Sequence, residues 1–98
     1  MSQKYRIKLH PKVLQEDSKQ FNAKIKEKIK SKCLELLSES PDLVGEPLRR
    51  ELAKYRKLKV FDDYRIIYRA DPKERIVFIL VVGIRRNEEV YKEAMRRA

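Results

Sequence analysis

Five side chains in the second half of the chain are of the types that grip and rearrange phosphate esters: Lys57, Lys59, Arg65, Arg85 and Tyr91. Arg65 lies in Asp-Tyr-Arg-Ile-Ile-Tyr-Arg at residues 63–69. Arg85 lies in Val-Gly-Ile-Arg-Arg-Asn-Glu-Glu-Val-Tyr at residues 82–91, which ends on Tyr91, six residues after it. A guanidinium can hold two oxygens of one phosphate, an ammonium is a compact positive charge, and a phenol ring can stack on a base. Residues 49–59 widen the footprint. They contain six basic residues, Arg49, Arg50, Lys54, Arg56, Lys57 and Lys59, against one acid, Glu51, with Tyr55 among them. Lys54, Tyr55, Arg56 and Arg86 are therefore candidates for nucleic-acid contact.

The whole composition points the same way. Lys+Arg 25 against Asp+Glu 15 leaves a net charge of +10 in 98 residues. Such a charge favours nucleic acid, a ribosome, an anionic membrane or an acidic protein, and competes with the plainer reading of a solvated lysine-rich surface. The apolar run at residues 76–82 is too short to span a bilayer, and the first residues show no apolar signal region. No membrane partner is expected. Cys33 is the single cysteine, which excludes a disulfide within the chain and suits a reducing cytoplasm. Its place on a helix face makes it a small core residue. His10 is the single histidine, at a strand–helix junction, and is read as structural. Asp62 and Asp63 are turn residues. Neither a metal site nor a glycine-rich phosphate loop is visible, and no cofactor is expected.

The elements that must position these residues follow from periodicity. One domain is expected over residues 1–98. Residues 4–10 alternate polar and apolar, as a strand does. Pro11 suits the first turn of a short helix on which Val13, Leu14 and Phe21 form an apolar stripe, with a break near Asn22. Ile25, Ile29, Cys33, Leu36 and Leu37 then recur at helical spacing. Residues 41–47 are irregular and residues 48–53 form a helical turn. From Lys54 the period becomes two, and strands are expected to Val60, over residues 64–70 and over residues 75–82, where Gly83 breaks the last. Asn87 caps a short terminal helix with acids in its first turn and arginines in its last. The fold class is α+β: an N-terminal strand, a two-helix hairpin, a three-strand antiparallel meander and a short C-terminal helix, with the helices on one face of the sheet.

In that meander, a three-residue turn at residues 61–63 pairs Val60 with Tyr64 and sets Lys59 opposite Arg65. Lys57, Lys59 and Arg65 then share a polar face, with Arg85 at the same end of the sheet, while Leu58, Val60, Tyr64, Ile66 and Tyr68 face the core. Like charges placed opposite each other destabilise a sheet, so the arrangement favours a bound polyanion.

These segments resemble the RelE-like toxins of toxin–antitoxin systems, a superfamily that also includes ParE-like gyrase inhibitors. The resemblance covers most of the chain and is most specific over residues 48–91. It implies a RelE-like fold and the toxin of a toxin–antitoxin pair: a metal-independent endoribonuclease that cuts mRNA on the ribosome, with ribosomal RNA contacts, and so inhibits translation. It implies a site of Lys57, Lys59, Arg65, Arg85 and Tyr91, and attack of a ribose 2′-hydroxyl on the adjacent phosphate. A lysine would be the base, its pKa lowered by neighbouring cations. Arg85 would stabilise the phosphate charge, Arg65 would clamp the phosphate and Tyr91 would stack on a base. It further implies a cognate acidic antitoxin, with operator DNA reached only through that antitoxin. The competing readings are a ParE-like gyrase inhibitor, and a non-catalytic RNA-binding module or degenerate toxin on the same fold.

Overall fold

The computed structural model describes residues 4–84 and 87–98, Asn87 by its backbone alone. The alternating segment near the N-terminus forms β1 (Arg6–Leu9), and Pro11 opens α1 (Pro11–Gln15), capped by the His10 side chain, whose Nδ1 accepts from the Lys12 N–H. A 3-10 turn (Asp17–Gln20) follows. Asn22 then caps α2 (Ala23–Leu37) by accepting from the Ile25 N–H at 2.9 Å. The expected first helix is thus one short helix and a turn. Its stripe is also narrower than expected, since Val13 and Phe21 are buried but Leu14 is 64% exposed.

Residues 41–47, expected to be irregular throughout, end in the two-residue strand β2 (Glu46–Pro47). A 3-10 turn (Arg50–Leu52) leads to β3 (Arg56–Val60), β4 (Tyr64–Asp71), β5 (Ile76–Ile84) and α3 (Asn87–Arg97). The sheet order is β1-β5-β4-β3-β2. β3, β4 and β5 form the expected antiparallel meander, and β1 joins the far side of β5 in parallel.

Helices cover both faces of this sheet, a departure from the expected single helical face. On one face, α1, the following turn and α2 pack Val13, Phe21, Ile29, Cys33 and Leu37 onto Leu58, Val60, Ile66, Tyr68, Val77, Ile79 and Val82. On the other, Val90 and Ala94 of α3 pack onto Ile67, Leu80 and Val81, with Leu52. The apolar character of β5 on both sides is explained by this double cover.

A bulge in β5 sets the second face. Ile67 pairs with Val81 but Tyr68 pairs with Ile79, so Leu80 is the extra residue. Leu80 and Val81 consequently share the α3 face, and every later residue is switched from one face to the other. Gly83 therefore points at α3. It does not break the strand, which continues to Ile84. A Cβ on Gly83 would lie 2.6 Å from Cγ2 of Val90, so the absent side chain is what lets the helix approach.

Candidate nucleic-acid interface

The turn between β3 and β4 has the expected length. Phe61 and Asp62 take positive φ values of 52° and 61°, Val60 pairs with Tyr64, and Lys59 pairs with Arg65. Lys57, Lys59 and Arg65 accordingly share one face, the face that carries α3. That face is not purely polar, because Ile67 stands opposite Lys57 and is fully buried.

Each cation has a distinct setting. Lys59 is exposed. Arg65 is only 8% exposed, and its Nη1 donates to the carbonyls of Asp62 at 2.6 Å and Tyr64 at 3.2 Å. Lys57 has an 11% exposed side chain. Its Nζ lies 5.7 Å from the centroid of the Tyr91 ring, within cation–π range, and 4.0 Å from Oε2 of Glu46. The pairing of Glu46 with Lys57 across β2 and β3 supplies that carboxylate. Tyr91 is half-buried and packs against the cluster beneath α3.

Among the four candidate RNA-contact residues, Lys54 is exposed and Tyr55 is half-buried, with the Arg69 guanidinium carbon 6.0 Å from its ring centroid. Arg56 points to the opposite face of β3. Its Nε donates to the Val44 carbonyl at 3.1 Å and its Nη2 to the Gly45 carbonyl at 3.0 Å. The Tyr68 hydroxyl sits in the same place, 2.6 Å from the Pro41 carbonyl and 2.8 Å from that of Val44. Burial raises the Tyr68 pKa against the opposing effect of Arg56. Arg56 is thus engaged in shaping the loop before β2. Arg85 and Arg86 lie outside the described residues.

Sequence reasoning missed two features of this interface. Glu46, beside Lys57, falls in a stretch with no periodicity to place it. The second is how α3 is held. Arg97 donates from Nη1 to Oδ2 of Asp17 and from Nη2 to Oδ1, both at 2.8 Å, with side chains 2% and 6% exposed. The hydrogen bonds that Arg97 donates to Asp17 are the leading reason that the Arg97 pKa is raised. Burial works to raise the Glu93 pKa, but bonds and charge from Arg97 and then Arg96 outweigh it, and the net shift is downward.

Known proteins resemble this chain in sequence and architecture. Residues 3–89 match the family model described as the ParE toxin of type II toxin–antitoxin system, parDE. The chain is 32% identical over 79 residues to the mRNA interferase toxin RelE of Escherichia coli strain K12, covering 81% of this chain and 82% of that protein. A chain of the toxin–antitoxin complex RelBE2 from Mycobacterium tuberculosis superimposes with a TM-score of 0.71 at 30% identity, over 84% of this chain and 99% of that one. A doubly substituted E. coli RelE in the free state gives 0.75 at 27% identity, over 96% and 97%.

Proposed function

Because this chain belongs to the RelE/ParE superfamily and is the toxin of a type II toxin–antitoxin system, we propose that it cuts mRNA on the ribosome as a metal-independent endoribonuclease. The observation that carries this reading is the Lys57 side-chain nitrogen held beside the Tyr91 ring, on the sheet face shared with Lys59 and Arg65. A base, a phosphate clamp and a stacking surface are then within one small area.

In this reading Lys57, as its neutral amine, takes the proton of a ribose 2′-hydroxyl and becomes the ammonium, and Lys59 is the second candidate for that step. The freed oxygen attacks the adjacent phosphorus, and the bond from phosphorus to the 5′-oxygen breaks. The products carry a 2′,3′-cyclic phosphate and, after protonation, a 5′-hydroxyl. Arg65 and Arg85 stabilise charge on the phosphorane, and Tyr91 stacks on a neighbouring base. Lys54, Tyr55 and Arg86 extend the contact with RNA. Fixed cations and one ring make a sparse site, which agrees with a ribosome that helps to position the mRNA. The partner in the resting cell is a cognate acidic antitoxin, whose association with a +10 chain is fast and weakened by salt.

The test is single-turnover cleavage of ribosome-bound mRNA, with ribose or 2′-deoxyribose at the scissile position. The deoxy substrate binds and is not cut. Lys57→Ala removes most cleavage, and Tyr91→Ala slows it roughly 5- to 150-fold, as expected from about 1–3 kcal/mol of stacking. Efficient cutting of the deoxy substrate rejects the mechanism. The ParE description of the matching family model favours a second reading, gyrase inhibition. Inhibited DNA supercoiling with intact RNA would establish that reading instead.

A further inference from the structure

We propose that Asp17 and Arg97 are positioning residues for the proposed RNA site: their buried ion pair fixes α3 on the sheet and so sets Tyr91 beside Lys57. The inference rests on the nuclease reading for its functional meaning, while its structural half can be measured separately.

The apolar grip of α3 is modest. Val90 and Ala94 are the small side chains it buries against the sheet. Arg97 continues the same stripe at helical spacing, and a guanidinium stands there in place of a third apolar group. It reaches a residue 80 positions earlier in the chain.

The pair also completes β5. The ladder between β1 and β5 ends with Leu9 opposite Ile79, and the His10 N–H donates to the Ile79 carbonyl at 2.8 Å. Beyond that point no strand among the described residues pairs with this edge of β5, and the ion pair takes its place. Oδ2 of Asp17 accepts from the Val82 N–H at 2.9 Å, and Nη1 of Arg97 donates to the Leu80 carbonyl at 2.9 Å. Nε of Arg97 donates to Glu93 at 3.0 Å. The guanidinium therefore bonds both to the carboxylate and to the strand backbone, which specifies one position for α3. A shift by one helical turn, about 5.4 Å, would break all of these bonds.

Tyr91 lies between two fixed points. Val90 is seated against Gly83 near the start of the helix, and Arg97 is locked at its end. The contact between the Tyr91 ring and Lys57 depends on both.

The full chain, prepared free of antitoxin, would be compared with Arg97→Met, Arg97→Lys and Asp17→Asn by NMR and single-turnover cleavage. In the parent, the Lys57 ε-protons near the Tyr91 ring are expected to resonate upfield of a free lysine's. Arg97→Met is expected to return them towards the position of a free lysine and to speed amide exchange in α3 at least tenfold. Amides of β4 are expected to keep their protection. Cleavage falls at least tenfold at saturating mRNA, with binding within about twofold. Arg97→Lys, which keeps charge without the fork, recovers part of both signals.

An unchanged Lys57 signal in folded Arg97→Met and Asp17→Asn chains overturns the proposal. So does parental cleavage after the signal is lost, or global unfolding of even the Asp17→Asn and Arg97→Lys chains. If the parent cuts no RNA, the nuclease reading fails, and the Lys57 signal and α3 exchange still decide whether the pair positions Tyr91.

Discussion

Lys59 and Arg65 stand opposite each other on neighbouring strands, an arrangement in which like charges repel. Arg65 is drawn back onto its own turn, where the carbonyls of Asp62 and Tyr64 accept from Nη1. Two cations that look equivalent in sequence thus differ in their debt to the fold. Arg65→Ala is expected to lower stability by about 1.5–3 kcal/mol, the range for hydrogen bonds to a charged group. Lys59→Ala is expected to stay within about 0.5 kcal/mol of the parent. Urea titration of both variants checks this, and equal midpoints would show that the turn does not depend on the guanidinium. Loss of activity in an Arg65 variant must therefore be read beside its stability.

At the scale of elements, β5 and α3 depend on one missing side chain. The Leu80 bulge turns Gly83 towards α3, and Val90 fills the space that a Cβ would occupy. Gly83→Ala is expected to cost about 1–3 kcal/mol, as overpacking does. In a Val90→Ala background the same change should cost much less, with a coupling of at least about 1 kcal/mol in a double-mutant cycle. Additive losses would place the strain elsewhere. Gly45 is a second such position for a different reason. Its φ is 72°, and a Cβ there would meet the Lys57 carbonyl at 2.7 Å, on the strand that carries the candidate base.

At the scale of the molecule, the two cores respond to pH through different groups. Cys33 is buried on the face of α2 that meets the sheet, and desolvation pushes its thiol from 9.0 up to about 12. Between those values the unfolded chain releases the proton and the folded chain keeps it. The thiol's contribution is therefore complete below pH 9 and declines above it, by about 1.4 kcal/mol per pH unit. Lysines and tyrosines titrate nearby, so the comparison is with Cys33→Ala. The parent's stability advantage over that variant should shrink as pH rises from 9 to 11, and parallel stability curves would contradict the shift. The α3 side responds at the acidic end with the opposite sign. Glu93 has a lowered pKa, so its contribution is present above the ordinary carboxylate range and is lost as pH falls through the folded value.

Local pattern alone carried much of this molecule. The alternation through Leu58, Val60, Ile66 and Tyr68 and a three-residue turn were enough to place Lys59 opposite Arg65, because a strand's period of two leaves little freedom in register. Asn22 marked the start of α2, and the excess of lysine and arginine set the net charge of +10. Tertiary structure decided what local pattern does not encode. A continuous apolar run such as residues 76–82 satisfies both faces of a sheet and so hides a bulge at Leu80. Nothing near Arg56 in sequence indicates that its guanidinium belongs to the carbonyls of Val44 and Gly45. Nothing near Arg97 indicates Asp17, 80 residues away. Periodicity reports which side chains share a face, whereas the partner across the gap is chosen only when distant segments pack. That choice put α3 on the second face of the sheet and brought Tyr91 to Lys57.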